Sequence, residues 1–389
     1  MDIEKKIELF KKPPTEEILT IEDLHNYIEN GIPLKHYQGF EISGFVHLGT
    51  GLISGLKIAH LQKAGVETTI FLADWHSWIN DKLGGDMETI RWVAKNYFAE
   101  AMKLSVKAMG GDPDKVNIIL GSELYEENPH YWETVIDVAK HTTLSRVRRS
   151  ITIMGRKMGE SLDFAKLIYP VMQVADIFTL QVNIAHAGLD QRKAHVIARE
   201  VALKIRVNKL TAEIDGEEKV IKPIALHHSL LLGFQISDDD VRMIKEAESK
   251  GDSIAAKDIF IDVKMSKSKP KSAIFVHDSP EEIKDKIRSA YCPARQIEYN
   301  PIIDITRLLI FPLDGELHID RPAKFGGPVD YTSFDELKSD FQKGALHPLD
   351  LKNGVAEWLI RKLDPINKYF SSGPGKKAFE RMKEIRITR

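Results

Sequence analysis

Two short stretches of the sequence carry residue types suited to phosphate chemistry. The first, Gly44-Phe45-Val46-His47-Leu48-Gly49-Thr50, lies between an aromatic strand pattern over 34–40 and a helical pattern over 52–61. Backbone N–H groups and the helix dipole point out of such a strand–helix turn, and glycine lets a phosphate approach closely. His47 adds a donor that can follow charge developing on an α-phosphate. A tight turn with a solvated histidine is the structural alternative.

The second stretch is Lys264-Met265-Ser266-Lys267-Ser268, a loop closed by Pro270. Two ammonium groups on a mobile loop can neutralise a triphosphate as pyrophosphate leaves. The two stretches occur in this order in a sequence with the pattern of a parallel sheet. Their combination favours a nucleotide site over a tight turn with a solvated histidine.

A third set lies on one predicted helix. Tyr169, Gln173 and Asp176 are spaced i, i+4, i+7 and therefore share one face. A hydroxyl and an amide there can accept from an α-ammonium, and a carboxylate can accept from a phenol. Apolar neighbours favour burial of this face over a polar stripe on a surface helix.

The elements that must position these residues alternate between strands and helices. This alternation predicts an α/β fold with a doubly wound parallel sheet. A helical preface is expected over 1–31, with Thr20 as a helix cap, and a nucleotide-binding catalytic domain over 32–278. A basic connective insertion is expected at about 142–165, and a smaller, mostly helical C-terminal domain over 279–389. The predicted strands are Leu34–Phe40, Thr68–Asp74, Val116–Gly121, Val182–His186 and Pro223–His227.

Composition limits the class of protein. The chain of 389 residues is 43% hydrophobic and 29% charged, with a net charge of −2, so RNA contacts must come from local basic patches. The lone Cys292 leaves neither an intrachain disulfide nor a cysteine metal cluster and fits a reducing cytoplasm. Neither a secretory signal nor an apolar run long enough for a membrane span is found.

The two loop motifs resemble the HIGH and KMSKS signatures of class I aminoacyl-tRNA synthetases. From about Lys35 to Leu363 the chain resembles the tyrosyl-tRNA synthetases of the archaeal and eukaryotic type. The resemblance implies activation of L-tyrosine with ATP and Mg²⁺ to tyrosyl-adenylate, then transfer to tRNA(Tyr). It also implies a homodimer, and no tightly bound protein metal site is expected.

The resemblance assigns individual roles at the catalytic centre. Tyr37, in Tyr-x-Gly-Phe-Glu, is expected on the substrate phenol, and Gly188-Leu189-Asp190-Gln191 near the ribose and the amino group, although Asp190 could equally cap the following helix. Thr50 departs from the family histidine and cannot carry positive charge. The expected catalytic residues are His47, Lys264 and Lys267. The expected tyrosine-binding residues are Tyr37, Tyr169, Gln173, Asp176 and Gln191. The expected ATP-binding residues are Gly44, His47, Gly49, Thr50, Gly188, Asp190, Lys264, Ser266 and Lys267.

Five further residues match family positions at the tRNA. Arg149 and Arg192 correspond to positions at the first base pair of the acceptor stem. Phe325, His347 and Asp350 correspond to positions at the first anticodon base. Without the resemblance, a proline-led helix start with an acid in its first turn is ordinary capping.

Three alternatives remain at this stage. A tryptophanyl-tRNA synthetase shares both signatures, but its indole pocket does not need the pair of Tyr37 and Asp176. A smaller nucleotidyltransferase of the superfamily predicts neither the basic insertion nor the C-terminal helices. A catalytically silent RNA-binding relative has no use for the intact His47 and Lys264.

Overall fold

A six-stranded sheet forms the centre of the computed structural model, which describes residues 1–155, 163–251, 259, 260, 262–265 and 270–386. The strand order is β1-β8-β5-β2-β3-β4, and all neighbours are parallel except β1 and β8. The strands of this sheet are β1 (Thr15–Leu19), β2 (Lys35–Phe40), β3 (Glu67–Leu72), β4 (Val116–Leu120), β5 (Ile184–Gly188) and β8 (Ile224–His228). Two hairpins lie outside it, β6 (Thr211–Ile214) with β7 (Glu217–Val220), and β9 (Leu317–Ile319) with β10 (Val329–Tyr331).

The chain winds outward from β2 in two directions, first through β3 to β4 and then through β5 to β8. This order confirms the predicted doubly wound sheet. The direction of winding changes between β2 and β5, and ligands of open α/β sheets bind in the crevice outside the carboxyl ends of the strands at such a point.

Helices cover both faces of the sheet. They are α1 (Ile3–Lys11), α2 (Ile21–Glu29), α3 (Leu48–Lys63), α4 (Asp74–Ile79), α5 (Met87–Val93), α6 (Ala99–Ala108), α7 (Gly121–Glu127), α8 (Tyr131–Lys140), α9 (Leu144–Ser150), α10 (Ala165–Thr179), α11 (Arg192–Val201), α12 (Asp238–Ser249), α13 (Pro280–Ser289), α14 (Pro301–Ile305), α15 (Phe311–Asp314), α16 (Phe334–Lys343), α17 (Pro348–Ser371) and α18 (Lys376–Glu384). Within the described ranges, none of them is long and apolar enough to cross a membrane.

The N-terminal segment differs from the predicted helical preface because it contains the edge strand β1. Its polar sequence, Thr15-Glu16-Glu17, lacks the apolar alternation of a buried strand, and charged residues are common on sheet edges. The buried Lys57 of α3 holds this segment in place: its Nζ donates to the carbonyls of Leu9, Phe10 and Lys12 at 3.1, 3.2 and 2.7 Å. The Thr20 cap of α2 is confirmed, since its side chain accepts from the Asp23 N–H.

Two further elements differ from the sequence prediction. The sequence after Asp74 predicts one long helix through Met109, but the structure has α4, α5 and α6 there. Gly84 and Gly85 take positive φ between α4 and α5, Asp86 caps α5, and a π-helical turn over Ala94–Phe98 joins α5 to α6. The hairpin β6–β7 was not predicted, although Asp215 and Gly216 at its tip both take positive φ, as a two-residue hairpin turn requires.

The C-terminal helices share one continuous hydrophobic core with α3, α5 and α6. Tyr97 lies at the junction. Its ring is 5.1 Å from Phe370 of α17, and its hydroxyl is 3.0 Å from His277 Nδ1 and accepts from the Val46 N–H at 3.2 Å. Through Tyr97, residues of the C-terminal half therefore pack against the turn before His47 and stabilise it.

Candidate active site

His47 begins α3 at the carboxyl end of β2. Its Nδ1 accepts from the Gly49 N–H at 3.1 Å, so the ring hydrogen is on Nε2. Nε2 lies 3.2 Å from Thr50 Oγ1, which therefore accepts a hydrogen bond from this N–H. The Thr50 hydroxyl keeps its own hydrogen for an outside acceptor. A Cβ at Gly49 would lie 3.1 Å from His47 Cε1, so glycine gives the ring room.

Lys264 lies on a segment that pairs with the chain beyond β8. The Met265 N–H donates to the Leu231 carbonyl at 2.8 Å, and Lys264 Nζ donates to Asp190 Oδ2 at 2.7 Å. Burial opposes ionisation of Asp190, but the neighbouring ammonium outweighs it and holds the pKa of this carboxyl below its usual value. Asp190 lies in a short turn before α11 and does not cap that helix, so the capping alternative is wrong.

The far end of the site is built around Asp176. Its Oδ1 accepts from the hydroxyls of Tyr125 and Tyr131 at 3.0 and 3.1 Å. Its Oδ2 is buried without a hydrogen-bond partner among the described residues. Burial raises the pKa of Asp176 to about 8, the two hydroxyls lower it in part, and the nearby charge of Asp74 raises it further.

His76 approaches Asp176 without forming an ion pair. Its Nε2 lies 3.5 Å from Oδ2, but burial lowers the pKa of His76 to about 3, so the ring is neutral, and the geometry is not that of a hydrogen bond. Tyr37 is buried on the same wall, where burial and then the charge of Asp176 raise its pKa. A Cβ at Gly39 would lie 2.7 Å from the Tyr37 hydroxyl, which explains the glycine of the Tyr-x-Gly pattern.

Acceptors from α10 and β2 line another part of the site's wall. Gln173 Oε1 and Gln38 Oε1 are both buried and lack hydrogen-bond partners in the described part of the chain. Tyr169 donates its hydroxyl proton to Glu41 Oε1 at 2.9 Å, which leaves the oxygen lone pairs available. Gln191 fixes Gln173 by accepting from its amide at 3.3 Å. The wall is therefore suited to an ammonium group.

These walls enclose one cavity of about 340 Å³ at the switch point of the sheet. It brings together the predicted residues Tyr37, His47, Gly49, Thr50, Tyr169, Gln173, Asp176, Gly188, Asp190, Gln191 and Lys264. Gly44 does not line it. Gly44 takes a φ of 136°, so its conformation accounts for the glycine. Ser266 and Lys267 lie outside the described residues.

Sequence reasoning missed several polar residues of the site. Glu41, Gln38, Tyr125 and Tyr131 were not predicted. Glu41 is the last residue of the Tyr-x-Gly-Phe-Glu pattern and Gln38 is its variable position, so the pattern itself was a usable signal. The two tyrosines come from α7 and α8, about fifty residues before Asp176, and nothing local in the sequence connects them to it.

The predicted acceptor-stem arginines lie close together, because Lys193, the neighbour of Arg192 in the sequence, contacts Arg149. Arg149 is exposed at the end of α9, and its backbone carbonyl accepts from Lys193 Nζ at 2.9 Å. Arg192 is half-exposed, and its Nε donates to both oxygens of Glu17, at 3.0 and 2.8 Å. The unpredicted strand β1 therefore orients Arg192.

The predicted anticodon residues also lie near one another. His347 caps α17 by accepting from the Leu349 N–H at 3.2 Å, while the carboxylate of Asp350, in the first turn, has no hydrogen-bond or ion-pair partner among the residues described. Arg321 donates to the carbonyls of Gly327 and Ala345, which joins the turn containing Phe325 to the segment before His347.

Over the described ranges, no group of three or more His, Cys, Asp or Glu side chains is arranged to hold a metal ion.

Comparison with known proteins shows which family this chain resembles. A family profile described as tRNA synthetases class I (W and Y) matches residues 29–236 and 262–364. Tyrosine–tRNA ligases of Thermococcus gammatolerans and Thermococcus kodakarensis are each 60% identical over 390 residues, spanning 100% of this chain and 100% of each relative. The crystal structure of tyrosyl-tRNA synthetase complexed with L-tyrosine from Pyrococcus horikoshii is 57% identical, covers 99% of this chain and 100% of that chain, and has a TM-score of 0.91.

The fold is thus that of a class I aminoacyl-tRNA synthetase, as expected. Within that class the chain belongs to the tyrosyl-tRNA synthetase family, and the tryptophanyl alternative is not favoured.

Burial of Asp176 predicts a pH-dependent stability. Because its pKa rises from 3.8 to about 8 on folding, the native state binds more protons between these values, and the free energy of unfolding falls as pH rises through this range. Asp176→Asn removes this slope. In thermal denaturation, the melting temperature of the variant relative to wild type should be higher near pH 9 than near pH 5.

The exposed Asp335→Asn variant supplies the baseline. An equal difference at both pH values would show that Asp176 ionises normally in the folded protein.

Proposed function

We propose that this protein activates L-tyrosine with ATP to tyrosyl-adenylate and pyrophosphate and then transfers tyrosine to the 3′ end of tRNA(Tyr). The observation that carries the proposal is the unpartnered Oδ2 of Asp176 at the closed end of the cavity. Tyr125 and Tyr131 occupy its other oxygen, so Oδ2 is left for an incoming partner. A phenol suits it in either protonation state of Asp176, because a hydroxyl both donates and accepts.

Selectivity for tyrosine over phenylalanine follows from the free-energy cost of burying Asp176 Oδ2 without a hydrogen bond. Phenylalanine has no hydroxyl, so it would bury Asp176 Oδ2 without a partner. Sites that hydrogen-bond a substrate hydroxyl reject the analogue lacking it by ~10⁴–10⁵ without editing. Tyr37, on the same wall, adds a second polar contact for the phenol.

At the other end of the substrate, the buried acceptors orient the α-ammonium. Gln173 Oε1 and Gln38 Oε1 accept from it, as does the Tyr169 hydroxyl, which Glu41 holds in place. With the ammonium fixed, the tyrosine carboxylate faces the start of α3. A carboxylate oxygen then attacks the α-phosphorus of ATP, the new O–P bond forms, and the bond to pyrophosphate breaks.

Charge developing on the phosphates meets donors from two loops. The N-terminus of α3 and the free hydrogen of the Thr50 hydroxyl face the α-phosphate, with His47 orienting Thr50. Lys264 lies beside Asp190, the proposed ribose acceptor. Lys267 and Ser266 are proposed to act on the leaving pyrophosphate, and Mg²⁺ enters with ATP.

Tyrosine-dependent exchange of labelled pyrophosphate into ATP tests this activity. Among the twenty amino acids, tyrosine alone should support exchange, because only its phenol satisfies Asp176 without leaving a buried group unpaired. The reaction without amino acid is the blank. Exchange with tryptophan alone, or with none of the twenty, would overturn the proposal.

For the second step, we propose that Arg149 and Arg192 contact the acceptor stem and that Phe325, His347 and Asp350 contact the first anticodon base. A carboxylate repels the RNA backbone, so at such an interface Asp350 should accept from a base. Guanine offers the matching pair of donors, N1–H and N2–H₂. Its carboxylate is available for this role, since within the described chain it makes no other hydrogen bond or ion pair.

Asp350→Ala should weaken aminoacylation of tRNA(Tyr) by one base contact, ~1–3 kcal/mol in kcat/KM. The loss should fall on tRNA with guanine at the first anticodon position and largely disappear when that base is replaced. Tyrosine–ATP exchange should not change.

Asp364→Ala, which removes an exposed acid of the same helix, is the matched control. Equal losses of Asp350→Ala on both tRNAs would mean that Asp350 only stabilises its helix, and the anticodon assignment would be withdrawn.

A homodimer is also proposed. Trp132 and Ile136 lie one turn apart on α8 and are 47% and 60% exposed, and Trp78 of α4 is 44% exposed. The Trp75 ring lies between the other two tryptophans: its centroid is 5.7 Å from that of Trp78 and 6.2 Å from that of Trp132. A contiguous exposed patch of this kind marks an association surface. We infer a cytoplasmic location from the proposed part in translation.

Ile136→Arg should dissociate the dimer, because it places an unpaired charge in an apolar interface. Sedimentation should give about twice the single-chain mass of 44.1 kDa for wild type and the single-chain mass for the variant. Met243→Arg, at an exposed apolar position on α12, is the control and should remain dimeric. A wild-type protein that sediments as one chain at micromolar concentration would contradict the proposal.

A further inference from the structure

A row of three buried histidines crosses the sheet beneath the cavity. His36 of β2, His186 of β5 and His228 of β8 lie on three adjacent strands. His36 pairs with Ile184 and His186 pairs with Leu226, so each histidine is two residues further toward the carboxyl edge and on the same face of the sheet. From β2 to β8, the row therefore approaches the carboxyl edge of the sheet, where the active site lies.

Hydrogen bonds connect the three rings end to end. His36 Nε2 lies 3.0 Å from His186 Nδ1, and His186 Nε2 lies 2.8 Å from His228 Nδ1. His228 is a wall residue of the cavity. Its Nε2 lies 3.5 Å from the point where a Cβ would stand on Gly188, two residues before Asp190.

All three rings are neutral. Burial lowers the pKa of His36 to about 3 and that of His228 to about 4, and burial together with the neighbouring histidines and Lys57 holds the pKa of His186 well below its ordinary value. Each ring therefore carries one N–H. Two consecutive bonds between three such rings can form only if all the donors point the same way.

The two ends of the row select one direction. If the donors pointed toward β2, His36 Nδ1 would carry a proton, and this atom is buried without a hydrogen-bond partner in the described chain. Buried N–H groups without acceptors are rare because their desolvation is not repaid. If the donors point toward β8, the last N–H is at His228 Nε2, where the charge of Asp190 favours a proton. The row is therefore oriented toward the cavity.

We propose that His36 and His186 hold the His228 imidazole as a neutral Nε2–H donor that binds a ribose hydroxyl of the nucleotide beside Asp190. The proposal rests on the ATP site proposed above. A hydroxyl both donates and accepts, so it can give its hydrogen to the Asp190 carboxylate and accept one from His228. His228 is then a binding residue, and His36 and His186 are positioning residues.

The tautomer is tested first, in the ligand-free protein, by ¹⁵N NMR of its labelled histidines. The His228 signals, identified by their loss in His228→Phe, should show a protonated Nε2 and an unprotonated Nδ1. The opposite tautomer would overturn the proposal. This measurement needs no activity, so it is decided separately from the exchange assay, whose failure in wild type would count against the proposed function.

Binding is tested by comparing wild type and His228→Phe on three nucleotides. His228→Phe should lower kcat/KM for ATP in the exchange assay roughly tenfold, the effect of one hydrogen bond. With whichever of 2′-deoxy-ATP and 3′-deoxy-ATP lacks the contacted hydroxyl, the loss should fall to less than about twofold. Equal losses with all three nucleotides would overturn the ribose contact.

Positioning is tested at His186, which does not line the cavity. His186→Leu removes both ring-to-ring bonds and should raise KM for ATP about threefold to tenfold while leaving KM for tyrosine unchanged. His186→Gln keeps one donor and one acceptor and should restore most of the loss. His60→Leu, which removes a buried histidine outside the row, is the matched control. A purely structural role would lower the amount of active enzyme in both His186 variants without this selective change in KM.

Discussion

The parallel pairing of β2 with β5 is the contact on which the rest of the site depends. It sets Tyr37 opposite Ala185 and brings the strand–helix turn at His47 beside the turn at Asp190. Because the chain changes its direction of winding between these strands, the helices that follow them diverge and leave a crevice at the carboxyl edge. The phenol end, the ammonium wall and the nucleotide loops all open into that crevice.

Several polar side chains are buried at the site, and their hydrogen bonds leave selected atoms available. Asp176 is bonded on one oxygen and open on the other, and Gln173 is held through its amide while its carbonyl oxygen is open. An open, buried acceptor destabilises the free protein, but a ligand that supplies the matching donor removes this cost. Specificity and stability are thus opposed at the same atoms.

The C-terminal helices contribute to the catalytic half as well as to the proposed RNA surface. Tyr97 contacts Phe370 and hydrogen-bonds to the backbone of Val46, and Asn367 of α17 donates to the His277 carbonyl at 2.8 Å. The helix that begins at His347 and Asp350 therefore packs, at its other end, against residues that support His47. A continuous packed core of this kind can connect the two surfaces mechanically.

Local patterns in the sequence were sufficient to predict part of this architecture. Strand and helix alternation, the helical spacing of Tyr169, Gln173 and Asp176, and the two loop motifs were enough for the sheet, the class and most of the cavity wall, since each is a short-range property of the chain. The distant groups that complete the site could be identified only from the folded chain. Tyr125 and Tyr131 meet Asp176, β1 brings Glu17 to Arg192, and three strands align His36, His186 and His228. These contacts depend on strand order and register, which arise from packing over the whole sheet and leave no periodicity in the sequence near any one of the residues.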